Sequence, residues 1–169
     1  AGLTTIDLSY NNKLEKLDLS NNQLRRVDLR GPSSYFNKSN LTDINISNNQ
    51  IDSLLYYTIY GVTKLNVSHN NLNKLDLKDA DNLRMLDISY NKFTRLLLNH
   101  SELIEDVNVA NNELTEIGIP TVAPVKKLNI SGNYFTLANM PNDFGLSRGN
   151  FIYAPQHVLQ ISTSSPGID

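Results

Sequence analysis

The sequence has no cysteine among its 169 residues, so disulfides and cysteine-based zinc sites are excluded outright. It has no run of about 20 apolar residues of the kind that spans a bilayer as a helix, and no apolar leader opens it. An excess of one charge is missing too. Fifteen Lys and Arg stand against 17 Asp and Glu, a net charge of −2, which offers no electrostatic case for nucleic acid because phosphates select clustered basic residues. Catalytic signatures are equally absent. His69, His100 and His157 fall at unrelated spacings, with no His-Glu-x-x-His pair, no Gly-x-Ser-x-Gly elbow and no glycine-rich phosphate loop. Asp87 and Asp106 are the one carboxylate pair to weigh for acid–base work or Ca²⁺, and solvated acidic surface is the simpler reading of them. The expectation is a non-enzyme with no cofactor and no metal.

What the chain does contain is a repeat. Residues 83–93, Leu-Arg-Met-Leu-Asp-Ile-Ser-Tyr-Asn-Lys-Phe, fit the pattern LxxLxLxxNxL, and copies of it start at Leu14, Leu41, Val62, Leu83, Ile104 and Val125. The steps are 27, 21, 21, 21 and 21 residues. Apolar residues hold the fourth position (Leu17, Ile44, Leu65, Leu86, Val107, Leu128) and the sixth (Leu19, Ile46, Val67, Ile88, Val109, Ile130). Asparagine holds the ninth in every copy: Asn22, Asn49, Asn70, Asn91, Asn112 and Asn133.

Alternation of apolar and polar residues through the fourth to sixth positions marks a strand with one face buried. A weaker LxxLxL half follows from the eleventh position, as in Leu24/Val27/Leu29, Leu72/Leu75/Leu77, Phe93/Leu96/Leu98 and Leu114/Ile117/Ile119. Each turn therefore has two apolar edges facing one core, and a single turn cannot bury them without stacked neighbours. The pattern is that of a leucine-rich repeat. It predicts a right-handed α/β-type solenoid, a horseshoe with parallel strands on its concave face. So short a repeat leaves room for little helix, and the convex side is expected to be extended or 3₁₀. The asparagine column is read as structural: an inward amide, with two donors and an acceptor, can serve backbone groups of its own and the adjacent turn.

The domain reading is a solenoid over 1–135, with a partial first repeat at Leu3, Ile6 and Leu8, six full repeats and an insertion near 31–40. That insertion carries Tyr35 and Phe36, read first as a plug over the apolar patch of Leu55, Tyr56, Tyr57, Ile59 and Tyr60, with an aromatic contact site as the alternative. Residues 136–161 read as a C-terminal cap ending in a short strand. Residues 162–169 read as a linker to a missing domain, and the mid-repeat start as that of a mature or truncated fragment. The sequons at Asn37, Asn40, Asn45, Asn66, Asn99 and Asn129 are read as by-products of repeat chemistry, since three of them fall in the fifth-position column.

Function is expected on the exposed face of the strands, at the second, third, fifth, seventh and eighth positions. In the third column Lys16, Asp43, Lys64, Met85, Asp106 and Lys127 alternate in charge, which between strands about 4.8 Å apart neutralises itself. The second column does the same at Arg84, Glu105 and Lys126. The fifth and seventh columns, mostly Asn, Asp and Ser, read as ladders. Regularity breaks at His69, Arg84, Met85 and Tyr90, in two adjacent turns. Tyr, Arg and Met are enriched at interface centres, so these four, with Asp106, are the candidate binding residues of the concave face.

The chain resembles the surface leucine-rich-repeat proteins of gut bacteria such as Bacteroides, along essentially its whole length. Turns such as Leu-Glu-Lys-Leu-Asp-Leu-Ser-Asn-Asn-Gln-Leu are similar to that family's unit. The ending, Asn133-Tyr134-Phe135-Thr136-Leu137-Ala138 leading to Tyr153-Ala154-Pro155-Gln156, is similar to its terminal signature. The insertion after Leu29 departs from it. The resemblance implies export to the bacterial surface or beyond it, often as a lipid-anchored protein, and continuation into a further module from Pro166-Gly167-Ile168-Asp169. The expected partner is a protein, a host or neighbouring-cell component, with glycan capture or a passive spacer as the alternatives.

Overall fold

The polar-apolar-polar triplet centred on the fourth position of each repeat is the segment that forms a strand. In the computed structural model, described for residues 2–30, 40–141, 146 and 149–157, these triplets are β1 (Lys16–Asp18), β3 (Asp43–Asn45), β5 (Lys64–Asn66), β6 (Met85–Asp87), β8 (Asp106–Asn108) and β10 (Lys127–Asn129). The second half-repeats supply β2 (Arg26–Asp28), β4 (Ser53–Leu55), β7 (Arg95–Leu97) and β9 (Glu116–Gly118), and the closing segment supplies β11 (Phe151–Ile152). Every pairing between them is parallel and in repeat register: Leu17 lies opposite Ile44, then Leu65, Leu86, Val107 and Leu128 follow in one line. The concave sheet thus runs β1-β3-β5-β6-β8-β10-β11, backed by the two-stranded sheets β2–β4 and β7–β9.

The molecule is a parallel β-solenoid, and no helix of either α or 3₁₀ type occurs among the described residues. The convex side is extended. Its sheet is interrupted at Leu72–Leu77, where the Asp76 carbonyl accepts the Tyr56 hydroxyl at 2.5 Å and the Asp76 carboxylate accepts the Lys78 amide. The Tyr56 hydroxyl joins the two turns across this gap.

Inside, the fourth, sixth and eleventh positions stack into continuous apolar columns, with Ile46, Val67, Ile88, Val109 and Ile130 all fully buried. Phe93 is the largest fully enclosed side chain. The asparagines sit beside this core. Asn91 is representative: its Nδ2 donates to the carbonyls of Val67, Ile88 and Ser89 at 2.9, 3.0 and 3.2 Å, and its Oδ1 accepts the Leu72 amide at 2.9 Å. Asn49, Asn70, Asn112 and Asn133 repeat the arrangement. Asn22 holds the Leu3 amide in the same way.

At the far end a glutamine takes the place of the next asparagine. Gln156 accepts the Phe135 amide at 3.2 Å and donates to the carbonyls of Ile130 and Tyr153. Its longer side chain reaches the ladder from the segment that carries β11, which pairs with β10 through Leu128–Phe151 and Asn129–Ile152. The insertion with Tyr35 and Phe36, and the segment read as a linker, lie outside the described residues.

Candidate functional site

The third and fifth columns line the concave face, because residues on either side of a buried strand centre point away from the core. They form a groove of about 740 Å³ from Lys16 and Asp18 at one end to Gly149, Asn150 and Ile152 at the other. Most of its polar groups already have partners. In each turn the fifth-position oxygen accepts the amide of the seventh residue, as from Asp18 to Ser20 at 2.9 Å and from Asn66 to Ser68 at 3.0 Å. Sideways bonds join Asn45 to Asp18 and Asn108 to Asp87. The Ser20 amide, the largest influence, holds the Asp18 carboxyl below its ordinary range. In the third column Lys64 pairs with Asp43 and Lys127 with Asp106, both at 3.8 Å. Exposed pairs of this length contribute under about 1 kcal/mol each.

Met85 interrupts that charge ladder, with Lys64 opposite on one side and Asp106 on the other. It is 42% exposed, and Ile152, which also lines the groove, is 43% exposed. These two are the apolar side chains that the groove presents to solvent. Ile152 was not legible as a groove residue, because only the parallel pairing of β11 brings it there.

The five candidate residues fall in three places. Met85 and Asp106 line the groove. Arg84 stands just before β6, where it donates to Glu105 at 2.7 Å; Lys126 reaches the same carboxylate at 2.5 Å. Lys126 first, then Arg84, keeps the Glu105 carboxyl below its usual range. His69 and Tyr90 lie three residues past the ends of β5 and β6, outside the groove lining, with their rings stacked at 4.1 Å and 14°. Asp87 and Asp106 are not opposite one another: Asp87 faces Asn108 and Asp106 faces Met85. Among the described residues no group of three His, Asp or Glu could hold a metal, and no helix is long and apolar enough to cross a membrane.

Two features of the columns differ from the expectation. The seventh position is not an exposed ladder: Ser47, Ser68, Ser89 and Ala110 are buried, and the three serine hydroxyls donate back to Asn45, Asn66 and Asp87. The eighth position takes a left-handed backbone in every repeat: Asn21, Asn48, His69, Tyr90, Asn111 and Gly132 have φ between 53° and 64°. The signal was present in the sequence, since Asn and Gly are the residues that tolerate this region. At His69 and Tyr90 it costs about 1 to 2 kcal/mol each.

The family model described as Leucine Rich Repeat matches residues 13–35 and 82–102, the first turn with its second half and the turn built on β6. No curated protein matches the chain. Together with the parallel stack, the two matched stretches give the chain the fold of a leucine-rich-repeat solenoid. Solenoids of this class are typically non-catalytic scaffolds, and they commonly mediate contacts between proteins across the broad face that stacking creates.

Proposed function

We propose that this chain is a non-catalytic protein-binding module, exported to a bacterial surface or its surroundings, where it mediates adhesion to a host or neighbouring-cell protein. The partner seats in the concave groove. The observation that carries the reading is the placement of Met85 and Ile152: two exposed apolar side chains in a groove most of whose polar groups are ion-paired or hydrogen-bonded to one another. An apolar centre with a polar surround is the composition of a protein interface. The surface setting rests on the likeness of the ending, Tyr153 to Gln156, to exported bacterial repeat proteins, some of them lipid-anchored.

The test is retention of extracellular host proteins on the immobilised chain, followed by titration of the purified partner against the native chain and Met85→Glu. Met85 is solvent-exposed, so the variant should keep the native melting temperature and bind at least about tenfold more weakly, the effect of losing about 1.4 kcal/mol. Equal affinity of the two chains would remove the groove from the binding site.

A further inference from the structure

The His69–Tyr90 stack has no structural use that the other turns require. Four of the six eighth positions carry Asn or Gly, which adopt the left-handed backbone at little cost. Both rings are exposed, and among the described residues neither the imidazole nor the phenol hydroxyl has a hydrogen-bond partner. The pair is nonetheless firmly placed. The His69 and Tyr90 amides each donate to the next turn at 2.9 Å, and their carbonyls accept Asn49 and Asn70. Each ring braces the other.

Stacking uses one face of each ring. The other face of Tyr90, itself 51% exposed, looks toward the next turn, where Asn111 stands in place of a ring. The Asn111 side chain leans away over Gly132: a Cβ added there would lie 2.5 Å from its Oδ1. Its amide nitrogen has no hydrogen-bond partner among the described residues. Beside the free ring face there is thus a ledge made of an unengaged amide and a bare backbone. The eighth column carries no carboxylate, ammonium or guanidinium along its length.

We propose that Tyr90, backed by His69 and bordered by Asn111, is a subsite for a neutral pyranose ring of a carbohydrate. A pyranose offers a flat face of C–H bonds to an aromatic ring and hydroxyls at its edge to an amide, and binding sites of this kind combine an apolar platform with few placed polar groups. The uncharged column favours a neutral ligand over an anionic one. A nucleic acid would need a row of phosphate-neutralising cations, which this column lacks.

The experiment is a titration of the ¹⁵N-labelled chain with cellohexaose, xylohexaose, maltohexaose, mannohexaose and chitohexaose, following amide shifts. The glucose, xylose and mannose oligomers represent a polysaccharide source, and chitohexaose an N-acetylhexosamine-bearing glycoprotein source. Saturable shifts centred on Tyr90 and Asn111 are expected with at least one probe. Tyr90→Asn should weaken that binding at least about tenfold while raising the melting temperature, because it restores the residue type this backbone accepts. His69→Asn should weaken it less, since the Tyr90 ring remains. Met85→Glu should leave it unchanged, which separates this subsite from the groove. The proposal is overturned if no probe gives saturable shifts, if the shifts fall in the groove, or if Tyr90→Asn binds as the native chain does.

Discussion

Replacing Asn91 with alanine isolates what one rung of the asparagine ladder contributes. The three carbonyls that Asn91 serves are each served twice. Val67 also receives Asn70, Ile88 also receives Asn112, and Ser89 also receives the His69 amide. The Leu72 amide has one acceptor, the Asn91 Oδ1, and Leu72 is buried. Asn91→Ala therefore strands a single buried N–H, at a cost of about 1 to 3 kcal/mol. For a chain of this length each kcal/mol lowers the melting temperature by about 2 to 4 °C. Asn22→Ala is the internal control. The amide it serves belongs to Leu3, which is 48% exposed, so water replaces the lost acceptor and the cost stays below about 1 kcal/mol. Asn91→Asp sharpens the comparison, because it keeps the acceptor for Leu72 but turns the donors aimed at Val67, Ile88 and Ser89 into a second oxygen. It should be worse than Asn91→Ala at neutral pH and recover as the carboxyl is protonated. Urea unfolding of the four chains decides the matter. If Asn91→Ala and Asn22→Ala lose the same stability, the argument from a stranded buried amide is wrong.

Gly132→Ala should destabilise the chain by at least the left-handed penalty of about 1 to 2 kcal/mol, because its Cβ would also strike Asn111; the loss should shrink in an Asn111→Gly background, and equal losses in both would place the cost in the backbone alone. Tyr56 gives an alkaline signature. Burial, the largest cause, pushes its phenol up to about 12, with Asp76 and Asp79 adding to the rise and the hydrogen bond to the Asp76 backbone opposing it. Below pH 10 the hydroxyl is protonated folded or unfolded. Between about pH 10 and 12 the folded chain binds more protons than the unfolded one, so stability falls as pH rises through that window. Tyr56→Phe should be less stable than the native chain at pH 8 and lose less on going to pH 11.5, as read by chemical denaturation; parallel losses in the two chains would show that Tyr56 is not the group responsible.

Much of this protein is legible in its sequence, because a 21-residue period makes each residue's environment repeat. Once Leu86 is read as inward, Leu65 and Val107 follow, and so do the positions of Asn70, Asn91 and Asn112. Polarity alone does not place a position. Ser47, Ser68 and Ser89 are polar yet buried, since a hydroxyl that bonds back to the fifth-position side chain needs no water. His69 and Tyr90 break the pattern of the eighth column, and they stand past the ends of β5 and β6, outside the groove lining that includes Met85.

The sequence by itself determined the repeat, the strand centres, the core columns and the asparagine ladder, because all of these depend on contacts between equivalent positions of adjacent turns. Only the tertiary structure decided what depends on direction rather than period. It carries Tyr90 out of the groove, beyond the end of β6. It brings Gln156 to the rung left open after Asn133, and folds Ile152 against Asn129 as the groove's last strand. No periodicity links residues 152 and 156 to the repeats they complete. Their places are set by the unpaired edge of β10, whose free amides and carbonyls require a partner from wherever the chain can supply one.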